Sequence, residues 1–154
     1  MIQGFHHTSF TVSNLEQAER FFVTLLGMER IGGGIYDFDY IRGIIGYPDA
    51  KLNIAVLAFP SHAKGHHLLE LIEYMQPAGE PTDTATNRPG NAHLCFVVSD
   101  IEAEVERLRK AGVAFKSEGP HQVTWGINEG ARGIYFNGPD GIALELLQPA
   151  PATS

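Results

Sequence analysis

The chain has 154 residues and a net charge of −7, with 44% hydrophobic and 19% charged residues. That is enough for one ordinary folded domain, and too apolar for a disordered chain. Lys and Arg form no dense patch, which argues against nucleic acid and anionic membranes as partners. No apolar run is long enough to cross a bilayer. The N-terminus MIQGFHHTSF has no basic stretch followed by an apolar one, and Cys95 is the one cysteine. The expectation is a cytoplasmic protein without an internal disulfide.

In chain order, His7–Val12 alternates as a strand, with His7, Ser9 and Thr11 on one face. Ser13 and Glu16 then read as a capping box for a helix carrying Leu15, Ala18, Phe22 and Leu25 at helical spacing. Gly27 sits where that helix would end. Extended stretches are expected at Ile31–Tyr36, Asn53–Ala58 and His67–Glu73. Turns are expected at Gly32-Gly33-Gly34 and Pro60, and a short helix around Tyr40–Ile45. Residues 76–89, with Pro77, Pro81 and Pro89, read as a connector.

The pattern then repeats. His93 corresponds to His7, Phe96 to Phe10, Val98 to Val12, Ser99 to Ser13 and Glu102 to Glu16. Ile101, Val105 and Leu108 mark the second helix, ended by Gly112. Strands are expected at Val113–Lys116, Ile134–Phe136 and Ile142–Leu147, with a turn at Pro139-Asp140-Gly141. The fold class is α+β: two βαβββ modules, 1–75 and 90–149, in one domain.

The last strand of each module carries Leu-Glu-Leu, at Glu70 and at Glu145. A carboxylate amid leucines is unusual in a strand, because a buried unpaired charge is costly. Each module therefore offers a His on its first strand and a Glu on its last. Any one of these residues alone would read as an ordinary strand residue, but their recurrence at corresponding places points to a shared site. His7, Glu70, His93 and Glu145 are the candidate ligands of one divalent ion (Zn, Ni, Co, Fe or Mn).

With the segments HTSFTVSNLEQAERFFVTLLGM, HLLELIEY, NAHLCFVVSDIEAEVERLRKAGV and FNGPDGIALELLQP, the chain resembles the vicinal oxygen chelate superfamily. That family holds glyoxalase I, epimerases, extradiol dioxygenases and bleomycin-resistance proteins. The resemblance implies paired modules forming a cupped, barrel-like mixed sheet around the metal, a small-molecule substrate and a homodimer. Four ligands rather than three resemble the glyoxalase I and epimerase type. There a lyase or isomerase removes a proton next to a chelated carbonyl, and Glu70 or Glu145 would be the catalytic base. Thr11 and Tyr74 stand where glyoxalase I has glutathione contacts, so a substrate other than a glutathione adduct is expected. The alternatives are an Fe(II) extradiol-type dioxygenase and a metal-free drug-binding protein.

Other residues carry weaker signals. His66 shares the Glu70 face by alternation, whereas His6 and His67 should point away from His7 and Glu70. His62 and His121 read as exposed loop residues, with His121 a lesser pocket candidate, and Trp125, Tyr36 and Arg132 read equally as substrate contacts or as core or surface packing. Cys95 follows the register of His93 and reads first as a small thiol in the packing.

Overall fold

The computed structural model describes residues 1–62 and 67–152. The chain divides into two compact units, Met1–Thr82 and Asp83–Ser154. Each holds a four-stranded mixed sheet, and few helices accompany them. No helix among the described residues is long and apolar enough to cross a membrane.

In the first unit the strands are β1 (His7–Thr11), β2 (Glu29–Tyr36), β3 (Lys51–Ala58) and β4 (Leu68–Gln76), in sheet order β1-β4-β3-β2. β1 and β4 are parallel, and the other pairs are antiparallel. Helix α1 (Leu15–Arg20) continues through a wider turn, Phe21–Leu25. Leu15, Ala18 and Phe22 are buried, as are Leu57, Leu69 and Leu71 of the sheet. Burying a side chain the size of Phe22 contributes on the order of 2 kcal/mol. A second short helix, α2 (Asp39–Ile45), lies between β2 and β3, close to the range expected.

In the second unit the strands are β5 (His93–Val97), β6 (His121–Gln122), β7 (Arg132–Asn137) and β8 (Ala143–Gln148), in order β5-β8-β7-β6. Helix α3 (Ile101–Lys110) buries Ile101, Val105 and Leu108, and Phe136, Leu144 and Leu146 are buried in the same unit. The strand pattern of the first unit thus recurs, with β5, β8 and β7 in the places of β1, β4 and β3.

Three local expectations are corrected. The helix caps are Asn14 and Asp100, which accept from Gln17 N at 2.9 Å and Ala103 N at 3.1 Å. Each cap is one residue later than the serine the capping-box pattern favours, because a short Asn or Asp oxygen fits this place well. The first helical N–H of each unit is also held from the last strand: Leu15 by Glu73 and Ile101 by Gln148.

Val113–Lys116 does not form a strand. It makes one bridge, Phe115 to Phe136, and the outer strand is the two-residue β6. The third correction concerns Gly32-Gly33-Gly34. These residues form no turn but lie inside β2, just after a register shift at Arg30/Gly32. A bulged strand needs residues free to leave ordinary strand angles, and Gly33 has φ +112°.

Candidate metal centre

Alternation gives each sheet two different faces. In the first unit, Leu69 and Leu71 of β4 point to the core side. Glu70 points the other way, onto a face it shares with His7, Ser9 and Thr11 of β1. Register places Ser9 beside Glu70, and the Ser9 hydroxyl donates to Glu70 Oε2 at 3.1 Å. His7 Nε2 lies 3.5 Å from the same oxygen.

The second unit builds the same arrangement. Leu144 and Leu146 are buried, and Glu145 takes the other face with His93 and Cys95. Cys95 stands beside Glu145 in register, as Ser9 stands beside Glu70. His93 Nε2 and Glu145 Oε2 are 3.1 Å apart. The side chains of His7 and His93 are 40% and 42% exposed, and those of Glu70 and Glu145 are 23% and 20% exposed. Among the described residues no Lys or Arg forms an ion pair with either glutamate. Each pair offers an imidazole nitrogen and a carboxylate oxygen on an accessible face, a donor set suited to a divalent transition metal.

The structure therefore brings His7 to Glu70 and His93 to Glu145. Among the described residues it does not gather three or more His, Cys, Asp or Glu side chains into one cluster.

Two residues that sequence reasoning assigns elsewhere or passes over belong to these pairs. His6 is expected to point away from His7, yet its Nδ1 lies 2.9 Å from Nδ1 of His7. The strand begins only at His7, so alternation does not reach back to His6. His7 thus has one ring nitrogen toward His6 and the other toward Glu70, the kind of outer partner that fixes the orientation of a ligand histidine.

Tyr135 is the second. It lies opposite Glu145 across the β7–β8 pair, with its hydroxyl 3.1 Å from His93 Nε2. The signal is present in the sequence: Ile134 and Phe136 are core residues, so Tyr135 must face the Glu145 side. Val56 holds the matching place opposite Glu70, so the phenol stands beside the second pair.

The electrostatics are those of a carboxylate close to partly desolvated groups. Cys95 is exposed rather than buried in the packing as expected, yet partial desolvation, helped by Glu145 beside it, raises its thiol to about 12. Burial, then the charges of Glu145 and Cys95, also hold the Tyr135 phenol above its ordinary range. Both groups are neutral near pH 7 and can donate hydrogen bonds. Gly133 borders Glu145 as well, since a Cβ there would lie 3.2 Å from Oε1.

The remaining candidates are dispersed. His67 Nε2 lies 2.7 Å from the Thr8 hydroxyl, on the Thr8 side of the sheet rather than the Glu70 side. Arg132 pairs with Glu102. His121 is exposed in β6, and Trp125 is 86% exposed. Tyr36 packs edge-on against Phe38. The expectation for His66, and that for the His62 side chain, lie outside the described residues.

Comparison with known proteins agrees with this architecture. The family model of the Glyoxalase/Bleomycin resistance protein/Dioxygenase superfamily matches residues 6–136. A 2-epi-5-epi-valiolone epimerase from an Actinomyces species is 33% identical over 152 residues, covering 96% of this chain and 80% of that protein. The crystal structure of a glyoxalase family protein from Bacillus cereus superposes with a TM-score of 0.81 at 26% identity, covering 98% of this chain and 97% of that one. The trypanothione-dependent glyoxalase I of Leishmania major shares the fold, with a TM-score of 0.66 at 21% identity over 96% of this chain and 87% of its own. The chain belongs to the glyoxalase/bleomycin resistance protein/dioxygenase superfamily.

Proposed function

We propose that the chain is a divalent-metal-dependent epimerase or isomerase that moves a proton on the carbon next to a carbonyl of a small ketone. The observation that carries this reading is the recurrence of one His–Glu pair at the same register in both units, 3.5 Å apart in one and 3.1 Å in the other. The 33% identity to an epimerase supports the reaction class.

His7, Glu70, His93 and Glu145 are the residues that would hold the cation. When bound, it would supply Lewis-acid polarisation of the carbonyl and an adjacent oxygen. The chain's own task is the proton. A glutamate within reach of the carbon accepts it, and its return to the opposite side of that carbon inverts the centre. Glu70 and Glu145 are the two carboxylates on these faces. Ser9 steadies Glu70 by donating to it, and Cys95 stands beside Glu145 in register. Tyr135 is placed to donate to an oxygen that gains negative charge. Thr11 and Tyr74 offer no cation for a glutathione carboxylate, which favours a substrate without such a tail.

The test is exchange in heavy water. 2-epi-5-epi-valiolone is incubated with the chain and Zn²⁺, Ni²⁺, Co²⁺, Fe²⁺ or Mn²⁺, and proton NMR follows loss of the signal from the carbon beside the ketone. Glu70→Gln and Glu145→Gln should each slow exchange by about a hundredfold or more. Full exchange by both variants, or by chelator-treated protein, would sink the reading.

A further inference from the structure

A second histidine of the second unit, outside its His–Glu pair, lies on the Glu145 side of the sheet. Gly133 of β7 lies opposite Leu147 of β8 on one side and opposite His121 of β6 on the other. Residues directly opposite in an antiparallel pair share a face, and so do residues two apart along a strand. His121 and Gly133 therefore share the face of Tyr135 and Glu145.

The opposite face agrees. Arg132 and Gln122, the chain neighbours of Gly133 and His121, pair with each other. The Arg132 side chain reaches Glu102 of α3, on the side where Ile134 and Phe136 are buried. With Arg132 and Gln122 toward the helix, His121 is left on the Glu145 side.

Gly133 puts no side chain between the two. Glu145 leans over it, since a Cβ at Gly133 would lie 3.2 Å from Glu145 Oε1. Its other oxygen, Oε2, is turned to His93 at 3.1 Å. Neighbouring strands run about 4.8 Å apart, so β6 and β8 stand about 10 Å apart across β7. A carbon held between a carboxylate oxygen and an imidazole nitrogen, each about 3–3.5 Å away, needs about 7 Å. The slot over Gly133 can therefore seat one reacting carbon.

His121 is also fixed in place without being used by the packing. The backbone N–H of Val123 donates to the Ala131 carbonyl at 2.8 Å, and that of Gly130 to the Val123 carbonyl at 2.9 Å, which holds the short β6 against β7. His121 is exposed, and among the described residues no side chain bonds to its ring.

We infer that His121 is a second proton-transfer residue, acting across Gly133 from Glu145 on the other side of the same substrate carbon. The inference deepens the epimerase reading and rests on it. A carboxylate that stays on one side of a carbon returns the proton to that side, so inversion needs a donor across from it. Glu145 takes the proton from the carbon beside the carbonyl, and the C–H electron pair moves to the carbonyl oxygen as an enolate. The protonated His121 ring gives its proton to the other side of that carbon, and the ketone re-forms with its centre inverted. Glu145 then passes its proton to water and His121 takes one from water, so nothing is oxidised or consumed. Histidine suits this task because its ring gains and loses a proton near neutral pH.

Wild type, His121→Gln and His121→Ala are incubated in heavy water with 2-epi-5-epi-valiolone and Zn²⁺, Ni²⁺, Co²⁺, Fe²⁺ or Mn²⁺. Proton NMR follows two signals, loss of the proton beside the ketone and appearance of the inverted epimer. The wild type should exchange and invert. Both variants should keep exchange within about threefold and lose inversion about a hundredfold. Melting with and without the cation should give the same rise in Tm for all three proteins. Exchange and inversion falling together, inversion left unchanged, or a lost rise in Tm in the variants overturns the role of His121 and leaves the epimerase reading standing. No exchange by the wild type with any of the cations defeats the epimerase reading, and the role of His121 falls with it.

Discussion

Tyr135 places its hydroxyl 3.1 Å from Nε2 of His93, whereas among the described residues no phenol reaches His7, the matching position being Val56. The two halves of the repeat are therefore chemically unequal. If the phenol donates to a substrate oxygen, Tyr135→Phe should lower kcat about tenfold, the scale of one hydrogen bond made in the transition state. Metal affinity should change little. Steady-state kinetics beside a metal titration separate the two effects. Unchanged kcat would reduce Tyr135 to a packing partner of His93.

Metal binding should appear first as stability. A cation at a hundred times its Kd adds about 2.7 kcal/mol to a protein that binds it only when folded. For a chain of this length that raises Tm by roughly 5–10 °C. Scanning fluorimetry should show the rise in the wild type and its reversal by chelator. His7→Ala and His93→Ala should each abolish it at the same metal concentration. His6→Ala should weaken affinity about tenfold through His7 alone. Equal shifts in all four proteins would place the metal elsewhere.

The Cys95 thiol offers a probe of Glu145 in metal-free protein. With its pKa raised to about 12 by burial first and Glu145 second, only about one thiol in ten thousand is ionised at pH 8. The thiolate is the nucleophile, so iodoacetamide should label Cys95 slowly, with a rate still climbing between pH 8 and pH 10. Glu145→Gln removes the smaller causes and should speed labelling only in part. A rate that levels off near pH 9, as for a free cysteine, would contradict the described surroundings.

Much of this is legible in the sequence because it is local. The period of two along β1 and β5, the helical spacing of Leu15, Ala18 and Phe22, and the Leu-Glu-Leu tripeptides fix which face each side chain takes, without knowledge of distant neighbours. What the sequence hides depends on pairing or on where an element begins. Tyr135 matters through the register of β7 against β8. His6 escapes alternation because β1 starts after it. Val113–Lys116 has strand-like residues, yet only Phe115 pairs, since the chain leaves the sheet edge and returns at His121. The aromatic rings of residues 36–47 look like an irregular insertion until Arg42 is seen holding both ends.

The glycine run in β2 gives a last prediction, because its members do different things. Gly33 has φ +112°, and a Cβ there would lie 2.0 Å from the Ile54 carbonyl oxygen and 2.8 Å from its carbon. Those are backbone atoms of the paired strand, so they cannot retreat without opening the β2–β3 ladder. Left-handed strain alone costs about 1–3 kcal/mol, and the clash adds to it. Gly33→Ala should therefore destabilise by about 3 kcal/mol or more in urea unfolding. Gly32→Ala meets only the Val56 side chain at 3.8 Å. It should stay within about 1 kcal/mol of the wild type, as an ordinary surface change does. Similar losses of stability from both substitutions would mean that β2 does not pair with β3 in this register.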